Sequence, residues 1–296
     1  MKIAVSGASG LIGSALVPAL RARGHEVLRL VRREPQAEDE IRWHPDRGEL
    51  DAARLAGVEA FVNLNGATIG RRWTGERKRE IRESRVRPTE LLARTAAALE
   101  PRPAALVCAG GVGIYGDRGD EVLTEESPPG TGFLAEVGTA WEAAAQPARD
   151  AGVRVVSFRQ GLVLTRRGGA LQRLLTPFRL GLGGPVGSGR QWWSWVALDD
   201  VLEAYAFALE GDLSGPVNLC SPNPVTNRQF AKALGRALRR PAVLPLPALA
   251  VRALFGEMGE EALLAGQRAL PARLLDAGFA FRYPELEAAL RRALEL

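Results

Sequence analysis

Three glycines stand where a backbone could bind a phosphate group. Gly7, Gly10 and Gly13 follow a short apolar run at 2–6 and precede a helical pattern. Glycine lets the backbone approach a pyrophosphate, and a helix N-terminus supplies unpaired N–H groups and a positive dipole end. The residues expected to hold the pyrophosphate of a dinucleotide are Gly7, Ser9, Gly10, Leu11 and Ile12. A tight turn that serves packing alone is the alternative.

The end of the second predicted strand, 26–31, indicates which nicotinamide nucleotide this loop would hold. An acidic residue there binds the ribose 2′-hydroxyl of NAD, whereas arginine pairs with the 2′-phosphate of NADP. This chain has Val31-Arg32-Arg33, so the sequence favours NADP(H) as the cofactor. Two solvated arginines in an arginine-rich chain are the alternative.

A further polar segment follows the strand predicted at 60–64. Asn63-Leu64-Asn65-Gly66-Ala67 places amide and small residues at the carboxyl end of that strand. Open α/β sheets bind ligands at this edge, so we expect Leu64, Asn65 and Gly66 to contact the adenosine ribose. A plain turn between a strand and a helix explains the segment equally well.

Alternating strands and helices must position these segments. The predicted strands cover 2–6, 26–31, 60–64, 105–109 and 153–158, and the clearest helices cover about 13–23, 92–99 and 141–149. Gly24 stands where a helix C-cap glycine belongs. Because parallel strands need crossover connections, the pattern predicts an α/β fold with a Rossmann-type, doubly wound parallel sheet.

The pattern changes after about residue 165. Glycines are frequent at 181–189, tryptophans follow, and a proline-rich link at 241–247 precedes a helical C-terminus. We predict an NAD(P)-binding Rossmann domain at 1–165 and a smaller C-terminal α/β lobe on the substrate side at 166–296. Later elements from 195–220 are expected to return to the first domain.

The composition excludes several classes of function. The 296 residues are 46% hydrophobic and 25% charged, as in ordinary globular proteins. Cys108 and Cys220 cannot build a disulfide framework or a zinc cluster, and we expect both to be buried. His25 and His44 are the only histidines, which excludes a multi-histidine metal site. No apolar run reaches the roughly 18 residues of a membrane span, and we expect a cytoplasmic protein with no membrane partner.

The charge pattern disfavours nucleic acid as a partner. The net charge is +5, with 36 arginines and three lysines. A nucleic-acid-binding protein concentrates its basic residues in a stripe, whereas acids interleave with the arginines here almost everywhere, as at 77–87. A small-molecule substrate is therefore expected.

The glycine-rich segment 183–195 contains one arginine and three tryptophans. Such a loop could close over a ligand, with Trp192 stacking on a ring and Arg190 pairing with a phosphate or carboxylate. A loop packed against the core by its tryptophans is an equally good explanation.

Several segments match one known superfamily. They are Gly7–Gly13, Asn65-Gly66-Ala67, Ile114-Tyr115-Gly116 and 158–163. On these segments the chain resembles the extended branch of the short-chain dehydrogenase/reductases. It resembles more closely an atypical, nucleoside-diphosphate-sugar epimerase-like subgroup labelled epimerase family protein, through 72–74, 80–86, 115–120, 177–189 and 195–200.

The resemblance covers nearly the whole chain. Residues 241–296 resemble the subgroup's small C-terminal domain of unknown function, most clearly at 274–279 and 283–286. The resemblance implies a small polar substrate, with a nucleotide sugar as one candidate, and a monomer or homodimer. It also implies that Asp199 caps the helix that follows 195–198.

The resemblance further implies additional cofactor contacts. Glu80 and Arg85 would reach the cofactor from the helix after the Asn65 loop, and Leu162 and Val163 would line the nicotinamide with backbone groups. For Glu80 and Arg85 the alternative is an ordinary pair of charges on a helix face.

The usual catalytic residues of the superfamily are missing. Its members use Tyr-x-x-x-Lys with an upstream Ser or Thr, the tyrosine exchanging a proton with the substrate. None of the three tyrosines, Tyr115, Tyr205 and Tyr283, has a lysine four residues on. Aligned on Trp141-Glu142, the tyrosine position falls at 133–134 and the lysine position at 137–138. The serine region, 108–111, contains no hydroxyl.

Either another group moves the proton or the fold binds NADP(H) without ordinary turnover. Candidate replacements at loops and strand ends facing the predicted cleft are Tyr115, Asp117, Glu125 and Arg159. Tyr115 is the best acid among them because a phenol matches the missing chemistry, and Arg159 is a candidate substrate contact. A packing role is the alternative for Tyr115.

Two functions follow: an oxidoreductase or epimerase-like enzyme, or a non-catalytic NADPH-binding sensor.

Overall fold

The computed structural model describes residues 1–296 and is built around one eight-stranded sheet. The strands are β1 (Lys2–Ser6), β2 (Glu26–Val31), β3 (Glu40–His44), β4 (Glu49–Leu50), β5 (Ala60–Asn63), β6 (Ala105–Cys108), β7 (Val122–Leu123), β8 (Arg154–Gln160), β9 (Leu162–Leu164), β10 (Trp192–Trp193), β11 (Trp195–Ala197), β12 (Gly215–Leu219), β13 (Val225–Thr226) and β14 (Arg268–Ala269). The sheet order is β12-β8-β6-β5-β1-β2-β3-β4, and only the edge strand β4 is antiparallel to its neighbour.

Helices connect these strands and cover both faces of the sheet. They are α1 (Gly13–Ala22), α2 (Gly75–Ala98), α3 (Phe133–Ala143), α4 (Gln146–Asp150), α5 (Gly169–Arg179), α6 (Leu198–Glu210), α7 (Asn227–Leu238), α8 (Ala248–Phe255), α9 (Glu257–Gly259), α10 (Ala272–Asp276) and α11 (Leu286–Leu294). A π-helical turn spans Glu260–Leu264, and 3₁₀ turns span Ala52–Leu55 and Val112–Tyr115. None of the helices has both the length and the apolar character that a membrane span needs.

The strand order reverses between β1 and β5. The chain adds β2 and β3 on one side of β1, and then β5, β6, β8 and β12 on the other. In the β1–β5 register Ile3 faces Ala60 and Val5 faces Val62, so both strands end at the same edge. Ligands of open α/β sheets bind at such a reversal point. The predicted doubly wound, Rossmann-type parallel sheet is confirmed.

Alternate residues of the central strands pack into separate cores. Ile3 and Val5 join the core beneath α1 and α6, whereas Ala4 and Phe61 join the core beneath α2 and α4. A sheet buried on both faces needs nearly continuous apolar strands, and β1 and β5 have them. This packing fixes the strand ends from which the polar segments leave the sheet.

The C-terminal half builds small sheets beside the main one. β9 pairs in parallel with β11, β7 with β14, and β10 pairs antiparallel with β13. A third core, which includes Phe230 and Leu290, lies among α5, α7 and α11. β12, from 215–219, lies at the edge of the main sheet. The domain boundary near residue 165 stays a prediction.

Two local predictions are wrong. The helix expected at 141–149 is broken between α3 and α4, because Pro147 lacks an N–H donor and its ring collides with a continuing helix. Asp199 does not cap α6, whose N-cap is Ala197 without a side-chain hydrogen bond. Asp199 instead lies in the first turn and pairs with Arg292 at 2.7 Å. Gly24, with φ +84°, does follow the end of α1 as predicted.

Candidate dinucleotide-binding site

The loop after β1 passes close to the end of β5. Gly7 has φ +72°, and a Cβ atom added there would lie 2.8 Å from the carbonyl carbon of Leu64. Both the left-handed backbone and this short distance exclude a side chain. The folded chain therefore requires glycine at position 7 even without a ligand.

The other two glycines differ in what surrounds them. A Cβ atom on Gly13 would lie 2.3 Å from the carbonyl oxygen of Gly7, so Gly13 is needed for packing at the start of α1. At Gly10 the only atom within 4 Å is that same oxygen, at 3.2 Å. Gly10 is exposed and the protein itself hardly restricts it. The open space over Gly10 suits the close approach of a bound pyrophosphate.

Free amide groups line the same loop. The backbone N–H groups of Leu11, Ile12 and Gly13 donate to no protein acceptor, and Ile12, at the N-cap, supplies no side-chain cap. These groups lie at the positive end of the α1 dipole. Ser9 is exposed beside them. The arrangement can bind an anion through backbone hydrogen bonds.

The two arginines after β2 have different environments. Arg33 donates to both carboxylate oxygens of the buried Glu40, at 2.6 and 2.8 Å, and this pairing is the main cause that lowers the pKa of Glu40. Arg32 is exposed and has no hydrogen-bond or ion-pair partner, while Val31 is half-buried. Only Arg32 is therefore free to pair with a ligand phosphate.

A buried polar network ties the ends of β1 and β5 together. The Asn65 side-chain amide donates to Ser6 Oγ at 2.5 Å and to Asn63 Oδ1 at 2.8 Å. Ser6 Oγ also lies 2.9 Å from Asn63 Oδ1. The amide of Asn65 thus serves the protein framework, and the predicted ribose contacts of Leu64, Asn65 and Gly66 stay predictions.

This network continues into the helices. Asn63 Nδ2 donates to Thr89 Oγ1 at 2.7 Å, and Trp141 Nε1 donates to the same oxygen at 2.9 Å. Thr89 Oγ1 in turn donates to the carbonyl of Arg85. Thr89 and Trp141 are framework residues that the sequence did not predict. The available signal was Asn63, because an amide at the end of an apolar strand is buried and needs hydrogen-bond partners nearby.

The loop after the network is held by side chains rather than by secondary structure. Four consecutive carbonyls accept side-chain hydrogen bonds: Ala67 from Arg85, Thr68 from Arg77, Ile69 from Trp73 and Gly70 from Arg173. The donors come from α2, α5 and the segment just before α2. These bonds fix one wall of the cleft.

Arg85 is the most unusual cation of this wall. Its guanidinium donates to two carbonyls, of Ala67 and Ile81, and lies 5.1 Å from the Trp141 ring centroid, with no carboxylate partner. Burial, and to a lesser extent the nearby Arg77 cation, lowers the pKa of Arg85 to about 10. A desolvated cation without a counter-ion is stabilised by a bound anion, which supports a ligand role for Arg85.

The other contacts suggested by the resemblance are placed as follows. Glu80 is exposed and pairs with Arg77 on the surface of α2, which agrees with the helix-face alternative. Leu162 and Val163 are half-buried in β9, opposite Trp195 and Val196 of β11. Their contacts with a nicotinamide stay a prediction.

Other residues pack closely around the positions where the missing catalytic pair would lie. A Cβ atom added to Gly113 would lie 3.2 Å from Cδ1 of Leu134, and one added to Gly138 would lie 2.9 Å from Cβ of Ile114. Gly110, in the region of the missing serine, would place a Cβ 2.5 Å from the Phe158 carbonyl. A lysine side chain at position 138 therefore has no room unless the Val112–Tyr115 turn moves.

Tyr115 is enclosed in the fold, which favours the packing alternative, and its role as an acid stays a prediction. Its side chain is fully buried. The hydroxyl lies 2.7 Å from Asn218 Oδ1 and 2.9 Å from the Thr124 carbonyl, and it accepts from Arg159. Burial raises the pKa of Tyr115. A phenol enclosed in this way supports packing rather than proton transfer to a ligand.

The remaining candidate replacements are also engaged. Arg159 is 5% exposed and forms a two-pronged ion pair with Glu142 at 2.7 and 2.9 Å. Burial lowers the pKa of Arg159, but the pairing outweighs it and the net shift is upward. Glu125 is buried and accepts from the Asn218 backbone. Asp117, though exposed, accepts from the Gly266 amide. Arg159 and Glu125 are both enclosed, and their predicted contacts with a ligand stay predictions.

In the glycine-rich segment 183–195, the side chain of Trp192 has polar partners and that of Arg190 has none. Trp192 Nε1 donates to Asp120 at 2.7 Å, and the Arg268 guanidinium lies 4.3 Å from the Trp192 ring centroid. Arg190 is exposed and its side chain has no partner. Trp192 is half-buried, and both substrate roles stay predictions.

Both cysteines are buried, as predicted. Burial is the main cause that raises the pKa of Cys108 to about 12, and it raises that of Cys220 further. Neither thiol is available as a thiolate near neutral pH, so they act as small core side chains.

The fold, its reversal point and the glycine loop define a Rossmann-type α/β protein. Residues 3–220 match the NAD dependent epimerase/dehydratase family, and residues 246–293 match a domain of unknown function, DUF1731. The chain belongs to the NAD dependent epimerase/dehydratase family. The resemblance to the atypical epimerase family proteins is confirmed.

Individual relatives match over nearly their full length. An epimerase family protein of Mycobacterium bovis is 49% identical over 97% of this chain and 96% of that protein. The human epimerase family protein SDR39U1 is 41% identical over 98% of this chain and 99% of that protein. A crystal structure of the human SDR39U1 with NADPH has a TM-score of 0.91 at 39% identity and covers 100% of both chains.

Proposed function

We propose that this protein binds NADP(H) at the carboxyl edge of β1 and β5. The observation that carries the proposal is the glycine loop itself, where the N–H groups of Leu11, Ile12 and Gly13 have no protein acceptor and Gly10 is exposed. The NADPH bound to the human relative supports it. When bound, the cofactor would supply a hydride, and the chain's own groups would hold its phosphates.

Arg32 is the proposed partner of the 2′-phosphate. Of the two arginines after β2 it alone lacks a counter-ion, since Glu40 occupies Arg33. Arginine pairs well with phosphate because its planar N–H groups match the phosphate oxygens. Selection of NADP(H) over NAD(H) is therefore assigned to Arg32.

The site supports binding better than it supports acid–base turnover. Positions 133–134 and 137–138, where the catalytic pair would fall, hold no tyrosine or lysine, and Gly138 is packed against Ile114. The candidate replacement acid, the phenol of Tyr115, is enclosed. We therefore propose a non-catalytic NADPH-binding role, in sensing or regulation, for a cytoplasmic protein that is a monomer or homodimer.

A second candidate is an oxidoreductase or epimerase-like enzyme acting on a small polar substrate, with a nucleotide sugar as one example. The free Arg190 and the nearby Trp192 favour it, because they offer a cation and an aromatic face on one segment. Such an enzyme would take its proton from solvent or from the substrate. Neither candidate needs nucleic acid or a membrane.

Calorimetric titration of the nucleotide-stripped protein with NADPH and then NADH tests the binding proposal. We expect micromolar NADPH binding and much weaker NADH binding. No binding of either nucleotide would overturn the proposal and leave the glycines with a packing role only. Loss of nicotinamide absorbance with any substrate in a panel of nucleotide sugars and carbonyl compounds would favour the enzyme. If that turnover survived Tyr115→Phe, the phenol would be excluded as the acid.

A further inference from the structure

A second basic site lies in the C-terminal lobe, away from the phosphate loop. A cavity of about 580 Å³ opens between α7 and the 240–243 segment. Its cationic lining residues are Arg228, Lys232, Arg236, Arg239 and Arg240, and no carboxylate lines it. Cavities of this volume are typical of small-molecule sites.

The local charge pattern departs from the rest of the chain. No aspartate or glutamate occurs at 213–256, whereas six basic residues do. Arg228, Lys232 and Arg236 follow one another at intervals of four on α7. Like charges at that spacing destabilise a helix. The interleaving of acids and arginines expected for the whole chain fails here.

Most of these cations lack a charged partner. Lys232 and Arg239 have no side-chain hydrogen bond or ion pair. Arg228 donates to the Ser188 carbonyl, and Arg240 to the Arg179 carbonyl. Only Arg236 pairs with a carboxylate, Glu287 of α11. The cluster therefore keeps a large uncompensated positive charge.

Helix capping does not account for the cluster. Cations in the last turn of a helix stabilise its dipole, which covers Arg236, Arg239 and Arg240. Arg228 lies in the first turn of α7, where a cation is unfavourable, and Lys232 lies in its middle. A ligand that carries negative charge explains all five.

The spacing of the cations indicates the size of the ligand. Arg228 and Arg236 are eight residues apart, which is about 12 Å along the helix axis. One phosphate would contact both only if the two side chains extended fully toward each other, whereas two or more linked phosphates span this distance directly. We propose that the α7 cavity binds a ligand carrying at least two phosphate groups. Free oligophosphates and lipid headgroups both have this chemistry.

The first experiment is a calorimetric titration with inorganic triphosphate and orthophosphate at low ionic strength, where exposed charges are least screened. We expect triphosphate to bind more tightly than orthophosphate. Lys232→Ala and Arg239→Asn should each weaken it by about tenfold or more, as expected for a lost charge-assisted contact. Asparagine tolerates the positive φ of 54° at position 239. Arg47→Ala, an exposed arginine elsewhere with no partner, should bind like the wild type.

Two arms separate this site from other sources of binding. Gly10→Asp should remove triphosphate bound at the glycine loop and leave the binding that Lys232→Ala weakens, so failure of the NADP(H) proposal would not affect the result. Flotation with cardiolipin vesicles, against pure phosphatidylcholine vesicles, tests the lipid source with the same variants. Binding to triphosphate or cardiolipin that Lys232→Ala weakens supports the proposal. No binding in either arm, or equal weakening by Arg47→Ala, overturns it.

Discussion

Glu40 holds Arg33 with both carboxylate oxygens while it is itself almost fully buried. Arg29 also lies 3.2 Å from Glu40, so this carboxylate is compensated from two sides. The pairing commits Arg33 to the loop between β2 and β3. Its neighbour Arg32 remains the free cation at the end of β2. The two adjacent arginines therefore have different roles.

Arg32→Ala should therefore act mainly on NADPH binding, and Arg33→Ala mainly on stability. We expect Arg32→Ala to weaken NADPH binding by about 10- to 100-fold, as for a lost charge-assisted phosphate contact, with little change in NADH binding or in Tm. Arg33→Ala should lower Tm because it leaves the buried Glu40 less compensated, and should weaken NADPH binding less. Calorimetry with both nucleotides and thermal unfolding check this. Unchanged NADPH affinity in Arg32→Ala would contradict the assignment.

The glycine loop should show a similar separation between folding and binding. Gly10→Ala meets one backbone oxygen, at 3.2 Å, so we expect a smaller loss of stability than for Gly7→Ala, with NADPH binding reduced by at least about tenfold because the pyrophosphate must approach there. Gly7→Ala should destabilise by about 1–3 kcal/mol, since it strains a positive φ and presses on Leu64. Urea unfolding measures the stability of both variants, and calorimetry measures their NADPH affinity. A Gly10→Ala protein that binds NADPH normally would show that the space over Gly10 is not used.

Packing at Gly138 predicts that the missing catalytic lysine cannot simply be restored. Gly138→Ala should cost about 1–3 kcal/mol through overpacking against Ile114. In the background of Ile114→Ala the same change should cost clearly less, because the neighbouring side chain has been shortened. A double-mutant cycle by urea denaturation measures this coupling. Additive effects of the two changes would mean that the contact is not the cause.

The acid limb of stability should depend on Asp39. The hydrogen bond from Arg29, supported by Arg21, lowers the pKa of Asp39 to about 2. Because this pKa lies below its unfolded value, the contribution of Asp39 to stability is present above about pH 4 and is lost as the pH falls towards about 2. Asp39→Asn should be less stable than the wild type near neutral pH, with the difference shrinking in acid. A difference independent of pH would contradict this mechanism.

The local pattern of residues was sufficient for the fold class and the phosphate loop. β1 and β2 have the predicted bounds, and the other predicted strands differ by one or two residues at their ends. A strand, a glycine turn and a helix are local features, so the spacing of Gly7, Gly10 and Gly13 carries their signal. Pro147 was a local signal too, and the break between α3 and α4 follows from it.

The roles of individual polar side chains depended on contacts across the chain. Tyr115 is enclosed by Asn218, which is about a hundred residues away in the sequence, and Arg159 pairs with Glu142 of another element. The residues of a strand predict where that strand ends. They do not predict which distant side chains will pack over its end. Burial and hydrogen-bond partners are long-range properties. They decided that Arg33 is paired while Arg32 is free, and that the phenol of Tyr115 is enclosed.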